Sequence, residues 1–166
     1  MKKILLPLFL TALCLTGCTF TEEEKGPTYH TFNEEVVNED DKLVFNVTQM
    51  SVHGIVYPGT KDLRPIEFYV TVNNNNPSGN VYFSLSNYEW LLYVGEFTYV
   101  CNEVNGTKTI EPGGKGIVRP WFDVPDNVYQ NNTEVKLKMN RPYRSLTDTV
   151  KYEIWWKFNL NHDVGE

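Results

Sequence analysis

The chain has 166 residues, with 15 Lys and Arg against 21 Asp and Glu and a formal net charge of −6. Hydrophobic residues make up 41% of it and aromatic residues 14%, a composition that excludes an intrinsically disordered chain. The acidic balance argues against a nucleic-acid-binding protein, because no excess of basic residues is left to neutralise phosphates. One folded domain fits this length.

The N-terminus has the pattern of a secretory signal peptide. Lys2 and Lys3 precede a mostly apolar run at residues 4–16. This run is too short to span a membrane as a helix, which needs about 20 apolar residues. Its length and its charged flank are those of a signal peptide. We therefore expect residues 1–17 to be removed from the mature chain.

The sequence Leu15-Thr16-Gly17-Cys18 at the end of this run resembles the lipobox of bacterial lipoproteins. The resemblance implies cleavage before Cys18, a diacylglycerol thioether on its sulfur and acylation of its new amino group, for example with palmitate. The protein is then expected in the bacterial cell envelope, held to the membrane by its lipid. Thr19 stands where Asp would resemble an inner-membrane retention signal, so outer-membrane or surface placement is allowed. The alternative is an ordinary signal peptide followed by a chance cysteine.

Residues 18–41 are rich in Glu, Asp, Asn and Thr and show no apolar period. Such a segment buries too little surface to order itself, so it predicts a flexible acidic tether. Cleavage after residue 17 removes two lysines and no acidic residue, which shifts the net charge from −6 to −8. Anionic headgroups do not attract a chain of this charge, so the lipid is expected to provide the attachment.

From Lys42 onward, apolar residues recur with a period of two, which is typical of strands with one buried face. The runs with the clearest alternation are 66–72, 135–139 and 150–158, and weaker runs are 43–47, 81–85, 97–101 and 118–124. Turn-forming sequences rich in Gly, Pro and Asn separate these runs at 73–79, 105–106, 112–114 and 125–127. No window of the mature chain carries a persuasive 3.6-residue stripe. The pattern predicts an all-β protein, an antiparallel β-sandwich of about seven to eight strands over residues 42–160, with a tail at 161–166.

Three short pieces of this domain resemble the small immunoglobulin-like domains of bacterial surface lipoproteins. They are residues 68–74 (FYVTVNN), 110–114 (IEPGG) and 121–125 (WFDVP). The resemblance implies an immunoglobulin-like sandwich and supports an envelope location. It implies little about function, because this fold hosts many unrelated tasks. The chain lacks the Cys–Trp–Cys spacing of antibody-type domains, so no inter-sheet disulfide is expected.

The three cysteines divide by position in the chain. Cys14 lies in the segment that is removed, Cys18 would carry the lipid, and Cys101 remains. Because Cys101 is in phase with Phe97 and Tyr99, we expect all three on the core side of a strand, with an inert buried thiol. The alternatives for an odd exported cysteine are a reactive thiol and an intermolecular bridge.

The sequence holds no motif of nucleophilic, metal-dependent or phosphate-binding catalysis. Cys101 and His53 are the one conceivable pair of nucleophile and base, and nothing in the sequence places them within hydrogen-bond reach. We therefore expect no enzymatic activity, no catalytic residues, no metal site and no cofactor. A small hydrolase is kept as the alternative of another class.

Binding by a protein surface remains as the expected activity. Tyr69, Trp121 and Trp155 are out of phase with the core residues of their strands and form the candidate binding surface. Such aromatic side chains stack on sugar rings or fill a partner's pocket, unless another part of the chain covers them. We predict a non-catalytic binding or accessory role with a protein or glycan ligand. A carbohydrate-binding or adhesin module is the alternative within binding.

Overall fold

The computed structural model describes residues 26–56, 62–84, 87–141 and 152–160. The predicted signal peptide, Cys18 and the predicted tail lie outside these ranges. In chain order the elements are β1 (Tyr29–His30), β2 (Val36–Asn38), β3 (Leu43–Val52), β4 (Leu63–Asn74), β5 (Val81–Tyr82), β6 (Glu89–Val94), β7 (Phe97–Val100), β8 (Glu103–Gly106), β9 (Thr109–Ile110), β10 (Lys115–Pro125), α1 (Asp126–Gln130), β11 (Glu134–Arg141) and β12 (Tyr152–Asn159).

Ten of these strands form two five-stranded sheets. Sheet 1 has the order β2-β3-β4-β10-β8, and sheet 2 has the order β1-β12-β11-β6-β7. Without the short strands β1 and β2, this is the A-B-E-D sheet opposite the G-F-C-C′ sheet of an immunoglobulin-like sandwich. Strands β5 and β9 form a separate two-stranded ribbon. The prediction of an all-β, immunoglobulin-like sandwich is confirmed; about seven to eight strands were expected, and the described residues form twelve, four of them only two or three residues long and one of these, β1, paired in parallel.

The core lies between the sheets and is built from the period-two residues. Phe68 of sheet 1 contacts Phe122 of the same sheet at 6.1 Å between ring centroids and Phe158 of sheet 2 at 5.5 Å. Trp90 and Trp156 stack at 6.4 Å within sheet 2, and both are almost completely buried. Each such side chain contributes about 1.5–3 kcal/mol by leaving water, so these rings hold the two sheets face to face.

The edge strand β7 departs from the predicted pattern. Cys101 is buried as expected and Tyr99 packs partly against the core, but Phe97 is 56% exposed. Phe97 follows the two-residue β6–β7 turn, in which Gly95 has a φ of +59°, and pairs with Val94 at the end of the hairpin. Phe97 is exposed at the end of this hairpin, so its assignment to the core was wrong.

A β-bulge in β3 changes which side chains face the core. The register against β4 shifts between Val47 and Gln49, so Thr48 is an extra residue. Phe45 and Val47 point inward before the bulge, whereas Met50 points inward after it. The bulge therefore turns the odd-numbered residues that follow, His53 among them, to the outer face of sheet 1.

Part of the segment predicted as a tether lies on the sandwich. Strand β1 pairs in parallel with β12, and β2 pairs with β3. Phe32 between them lies 4.2 Å from Phe158 between ring centroids, and Asp41 forms a 2.9 Å ion pair with Arg141. Residues 29–41 are therefore packed against the domain in this structure.

The helix α1 was not predicted. Pro125 ends β10 as expected and occupies the N-cap of α1, and none of the five helical residues is buried. Val128 and Tyr129 pack partly against the core, but five residues are too few to show a 3.6-residue apolar stripe, which is why the pattern does not reveal the helix. Within the described ranges, no helix has the length and apolar character needed to cross a membrane.

Candidate binding surfaces

The structure divides the three predicted aromatic residues between two surfaces. Tyr69 on β4 and Trp121 on β10 lie on the outer face of sheet 1, whereas Trp155 on β12 lies on the outer face of sheet 2. All three are partly buried and point away from the core. The core separates the two faces, so the residues belong to two candidate sites.

The Trp121 surface comprises His53, Glu67, Tyr69, Arg119 and Trp121. Its centre is Glu67, which points outward and is only 3% exposed. One carboxylate oxygen lies 3.7 Å from Arg119 Nη1 and the other lies 3.7 Å from His53 Nε2. The His53 ring stacks on Trp121 at 4.7 Å, and the Arg119 guanidinium lies 5.7 Å from the centre of the Tyr69 ring.

The remaining polar groups around Trp121 are paired with one another. The Trp121 indole N–H donates to Asp123 at 3.1 Å, and Asn102 donates to the other oxygen of that carboxylate at 2.8 Å. Glu67 lies opposite Trp121 in the β4–β10 pairing and 3.7 Å from His53, whose ring stacks on Trp121, and it is buried among these neighbours although it faces outward. This arrangement is a closed polar network on a sheet face, and most of its groups already have partners.

Removing Arg119 should destabilise the domain through Glu67. The Arg119→Met variant keeps the aliphatic contacts with Tyr69 but leaves a buried carboxylate with His53 as its one ion-pair partner in the described chain. We expect a loss of about 2 kcal/mol in the free energy of unfolding, below the ~3–5 kcal/mol of a fully buried pair because Arg119 is 38% exposed. Urea denaturation measures this, and Glu67→Gln added to Arg119→Met should recover most of the loss. A double variant as unstable as Arg119→Met would contradict the explanation.

The Trp155 surface comprises Tyr29, Tyr93, Trp155, Lys136 and Lys138 on the outer face of sheet 2. Trp155 and Tyr93 lie on the strands either side of β11, and their rings meet at 5.2 Å with an interplanar angle of 33°. Tyr29 contacts the edge of Trp155 at 6.1 Å. Lys138 Nζ lies 5.0 Å from the centre of the Trp155 ring, and Lys136 Nζ lies 5.5 Å from that of Tyr29. These three rings form a continuous aromatic strip.

Cavities adjoin both ends of this strip. The first, of about 320 Å³, is lined by Tyr93, Gly95, Asn131, Asn132, Thr133, Glu134 and Lys136. The second, of about 370 Å³, is lined by Pro27, Thr28, His30, Val36, Val37, Asn38, Tyr152, Glu153, Ile154 and Trp155. Each cavity has a volume at the lower end of the range for ligand pockets, so the Trp155 surface combines flat rings with concave ends.

Sequence reasoning found one of the three rings of this surface. Tyr29 was missed because it lies in the segment predicted as a tether, and its place follows from the parallel pairing of Tyr29 with Trp155. Tyr93 was missed although a signal exists, since it alternates with the buried residues Leu92 and Val94 in β6. The contact between Tyr93 and Trp155 depends on the order β12-β11-β6, which the local pattern does not contain.

The residues considered for catalysis lie in different environments. Cys101 is 4% exposed, and its thiol donates a hydrogen bond to the Glu103 carbonyl at 3.1 Å. Burial raises the pKa of this thiol to about 11, which removes the thiolate that acts as a nucleophile at neutral pH. His53 faces outward on Trp121 instead. Within the described ranges, no group of three or more His, Cys, Asp or Glu side chains could hold a metal ion.

The Cys101 thiol should be unreactive in the folded protein. At pH 7.5, a pKa of about 11 leaves well under one thiolate in a thousand, and burial also blocks access. We expect an aromatic disulfide reagent to label Cys101 at less than about one hundredth of the rate in the urea-unfolded chain, which serves as the control. Since the pKa is raised, the reaction of the native thiol should accelerate as the pH rises toward 11. Rapid labelling of the folded protein at pH 7.5 would contradict this assignment.

Comparison with known proteins supports the fold. No protein-family model matches this chain, and no curated protein matches it in sequence. A solved structure with a similar fold is that of an uncharacterised β-sandwich protein from Clostridium difficile 630, with 12% sequence identity and a TM-score of 0.55. The alignment covers 83% of this chain and 98% of that one. At this identity the likeness shows that the chain folds as a β-sandwich and carries no information on ligand or activity.

Proposed function

We propose that this protein is a lipid-anchored component of the bacterial cell envelope whose β-sandwich acts as a non-catalytic binding module. The ligand binds at the Trp155 surface. The observation that carries this proposal is the strip of three touching rings with a cavity at each end. Exposed aromatic side chains beside concave, partly polar pockets are the usual composition of a recognition site.

The Trp155 surface is preferred to the Trp121 surface because of how their polar groups are used. On the Trp121 surface the indole N–H and both Asp123 oxygens are already bonded, and the central acid Glu67 is covered by its neighbours. A ligand there would have to break existing contacts before it formed new ones. The Trp155 indole N–H is also bonded, to Glu153 at 3.4 Å, and Lys138 lies over the ring, but this surface adjoins two partly polar cavities that give a ligand room to bind.

The envelope location rests on the N-terminal sequence. The lipobox-like Leu15-Thr16-Gly17-Cys18 supports cleavage and lipidation at Cys18. The direct test is incorporation of labelled palmitate by bacteria that express the chain. The wild type should be labelled and the Cys18→Ala variant should not. Equal labelling of the two variants would refute the anchor.

The non-catalytic role is supported by the state of the candidate nucleophile. Cys101 is buried and its pKa is raised, while His53 stacks on a ring on the outer face. A hydrolase that used this cysteine and histidine would need them to share an open cleft. A binding role requires neither group to be reactive.

The binding site is tested by comparing two tryptophan variants of the full chain in lipid nanodiscs. The probes are polysaccharide and protein fractions of bacterial envelopes, passed over immobilised nanodiscs with empty nanodiscs as the blank. We expect at least one fraction to bind wild type, with at least tenfold weaker binding to Trp155→Ala and no loss for Trp121→Ala. A loss confined to Trp121→Ala would move the site to sheet 1. Equal binding to all three proteins would refute the proposed function.

A further inference from the structure

We infer that the Trp155 surface binds an uncharged saccharide chain, which lies along the aromatic strip with its ends in the two cavities. This inference rests on the proposed function, because it names the ligand class of the same site. Four features of the surface carry it: the ring geometry, the polar groups of the cavities, the pairing of the charges and the length of the site.

The first feature is the arrangement of the rings. A pyranose ring has flat faces made of C–H groups, and these pack on aromatic faces with little loss of hydration from the hydroxyls at the rim. Trp155 and Tyr93 meet at 5.2 Å between ring centroids and are tilted by 33°, so they pack against each other as one partly exposed aromatic platform. Such a platform suits flat, semi-rigid rings better than a branched apolar side chain, which needs a deep pocket to become fully buried.

The second feature is the polar lining of the cavity beside Tyr93. The side-chain amides of Asn131 and Asn132 donate to the backbone carbonyls of Asn127 and Val128 in α1, each at 2.7 Å. Their amide oxygens have no hydrogen-bond donor among the described residues. Gly95 makes room for Asn132, since a Cβ at Gly95 would lie 2.4 Å from that amide oxygen. Fixed amide oxygens that lack donors suit sugar hydroxyls, which donate readily.

The third feature is that the charged groups beside the rings are paired with one another. Lys138 lies 2.8 Å from Glu153, and Glu134 binds Lys157 at 2.6 Å and faces Lys136 at 3.8 Å. An anionic ligand would have to compete with these carboxylates for the lysines, and a cationic one with the lysines for the carboxylates. An uncharged ligand displaces neither pair, which favours a neutral saccharide over an acidic one.

The fourth feature is the extent of the site. Tyr93 lines the first cavity and Trp155 lines the second, so the contact between the two rings connects the cavities. A single sugar would occupy one end of this surface. A chain of several sugars would fill both cavities and stack on the rings between, so affinity should rise with chain length.

The test is calorimetric titration of the full chain in a detergent without a sugar headgroup. The probes are neutral oligosaccharides of glucose, N-acetylglucosamine, mannose and galactose, each with two to six units, and polygalacturonate and heparin serve as charged comparators. We expect at least one neutral series to bind with a dissociation constant below about 1 mM, with affinity that increases with length. Trp155→Ala should weaken binding at least tenfold, and Asn131→Ala should weaken it about threefold to tenfold. Tyr82→Ala, an exposed aromatic on β5, should bind like the wild type.

Several outcomes would overturn the saccharide assignment. The first is that no neutral oligosaccharide binds, and the second is that the charged comparators bind more strongly. The third is that neutral oligosaccharides bind Trp155→Ala as well as the wild type. The proposed function would survive the first two if an envelope protein fraction still bound in a Trp155-dependent manner. It would fail with the saccharide assignment if no probe depended on Trp155.

Discussion

Replacing Trp156 by Ala is expected to lower the free energy of unfolding by about 3–5 kcal/mol. Trp156 is fully buried in sheet 2 and stacks on Trp90. Its indole N–H has no hydrogen-bond partner among the described residues, so the loss consists of apolar contacts and the cavity left behind. A domain of this size is stable by about 5–15 kcal/mol, and the variant should therefore unfold at a clearly lower urea concentration.

The neighbouring residue provides the matched control for this prediction. Trp155 has the same side chain, one position away, on the opposite face of β12. Trp155→Ala is expected to cost about 1 kcal/mol, because its partly exposed ring leaves no closed cavity. Equal losses for the two variants would contradict the assignment of Trp156 to the core and of Trp155 to the outer face.

Replacing Gly106 by Ala is expected to cost about 3–5 kcal/mol, although Gly106 is exposed. Its φ of +84° is unfavourable for a residue with a Cβ, at about 1–2 kcal/mol. A Cβ there would also lie 2.3 Å from the Ile117 carbonyl oxygen of β10. This oxygen accepts the Thr107 N–H at 2.8 Å, so relief of the clash would break a hydrogen bond between β10 and the residue that follows β8.

The Gly113→Ala variant separates the cost of the positive φ from the cost of the steric clash. Gly113 also has a positive φ, +72°, but a Cβ there would meet nothing within 4 Å. Gly113→Ala should therefore show the conformational cost of about 1–2 kcal/mol without the clash. Urea denaturation of both variants, with unchanged m-values, measures the difference. Equal losses would show that the backbone of β10 absorbs the added methyl group without cost.

The sequence pattern is clearest for strands that bury one face in the core between the sheets. Strands β4, β11 and β12 alternate cleanly because their core-facing residues are buried, and β10 was found from a weaker run. On the edge strand β7, Phe97 departs from the expected pattern because it is exposed at the end of the hairpin. The bulge at Thr48 is also invisible in the sequence, since an extra residue in one strand is defined by its partner.

The sequence predicted only part of the candidate site. Alternation identifies side chains that leave the core, which is how Trp155 and Trp121 were found. It does not say which outward side chains become neighbours, because that depends on strand order. Tyr93 reaches Trp155 across β11, and Tyr29 reaches it through a pairing between the two ends of the described chain.

In the lipid-anchored protein that we propose, the pairing of β1 with β12 would also limit how far the sandwich extends from the membrane. From Cys18 to Tyr29 the chain spans at most about 40 Å when extended, whereas from Cys18 to Leu43 it would span roughly 85 Å. β1 is joined at only two positions, Tyr29 to Trp155 and His30 to Trp156. In the proposed lipid-anchored form, tension between the membrane and a bound ligand is expected to detach β1 and β2 before it unfolds the rest of the two sheets. The linker to the membrane would then be about twice as long. The departure of Tyr29 would remove one ring from the aromatic strip, so tension would weaken ligand binding.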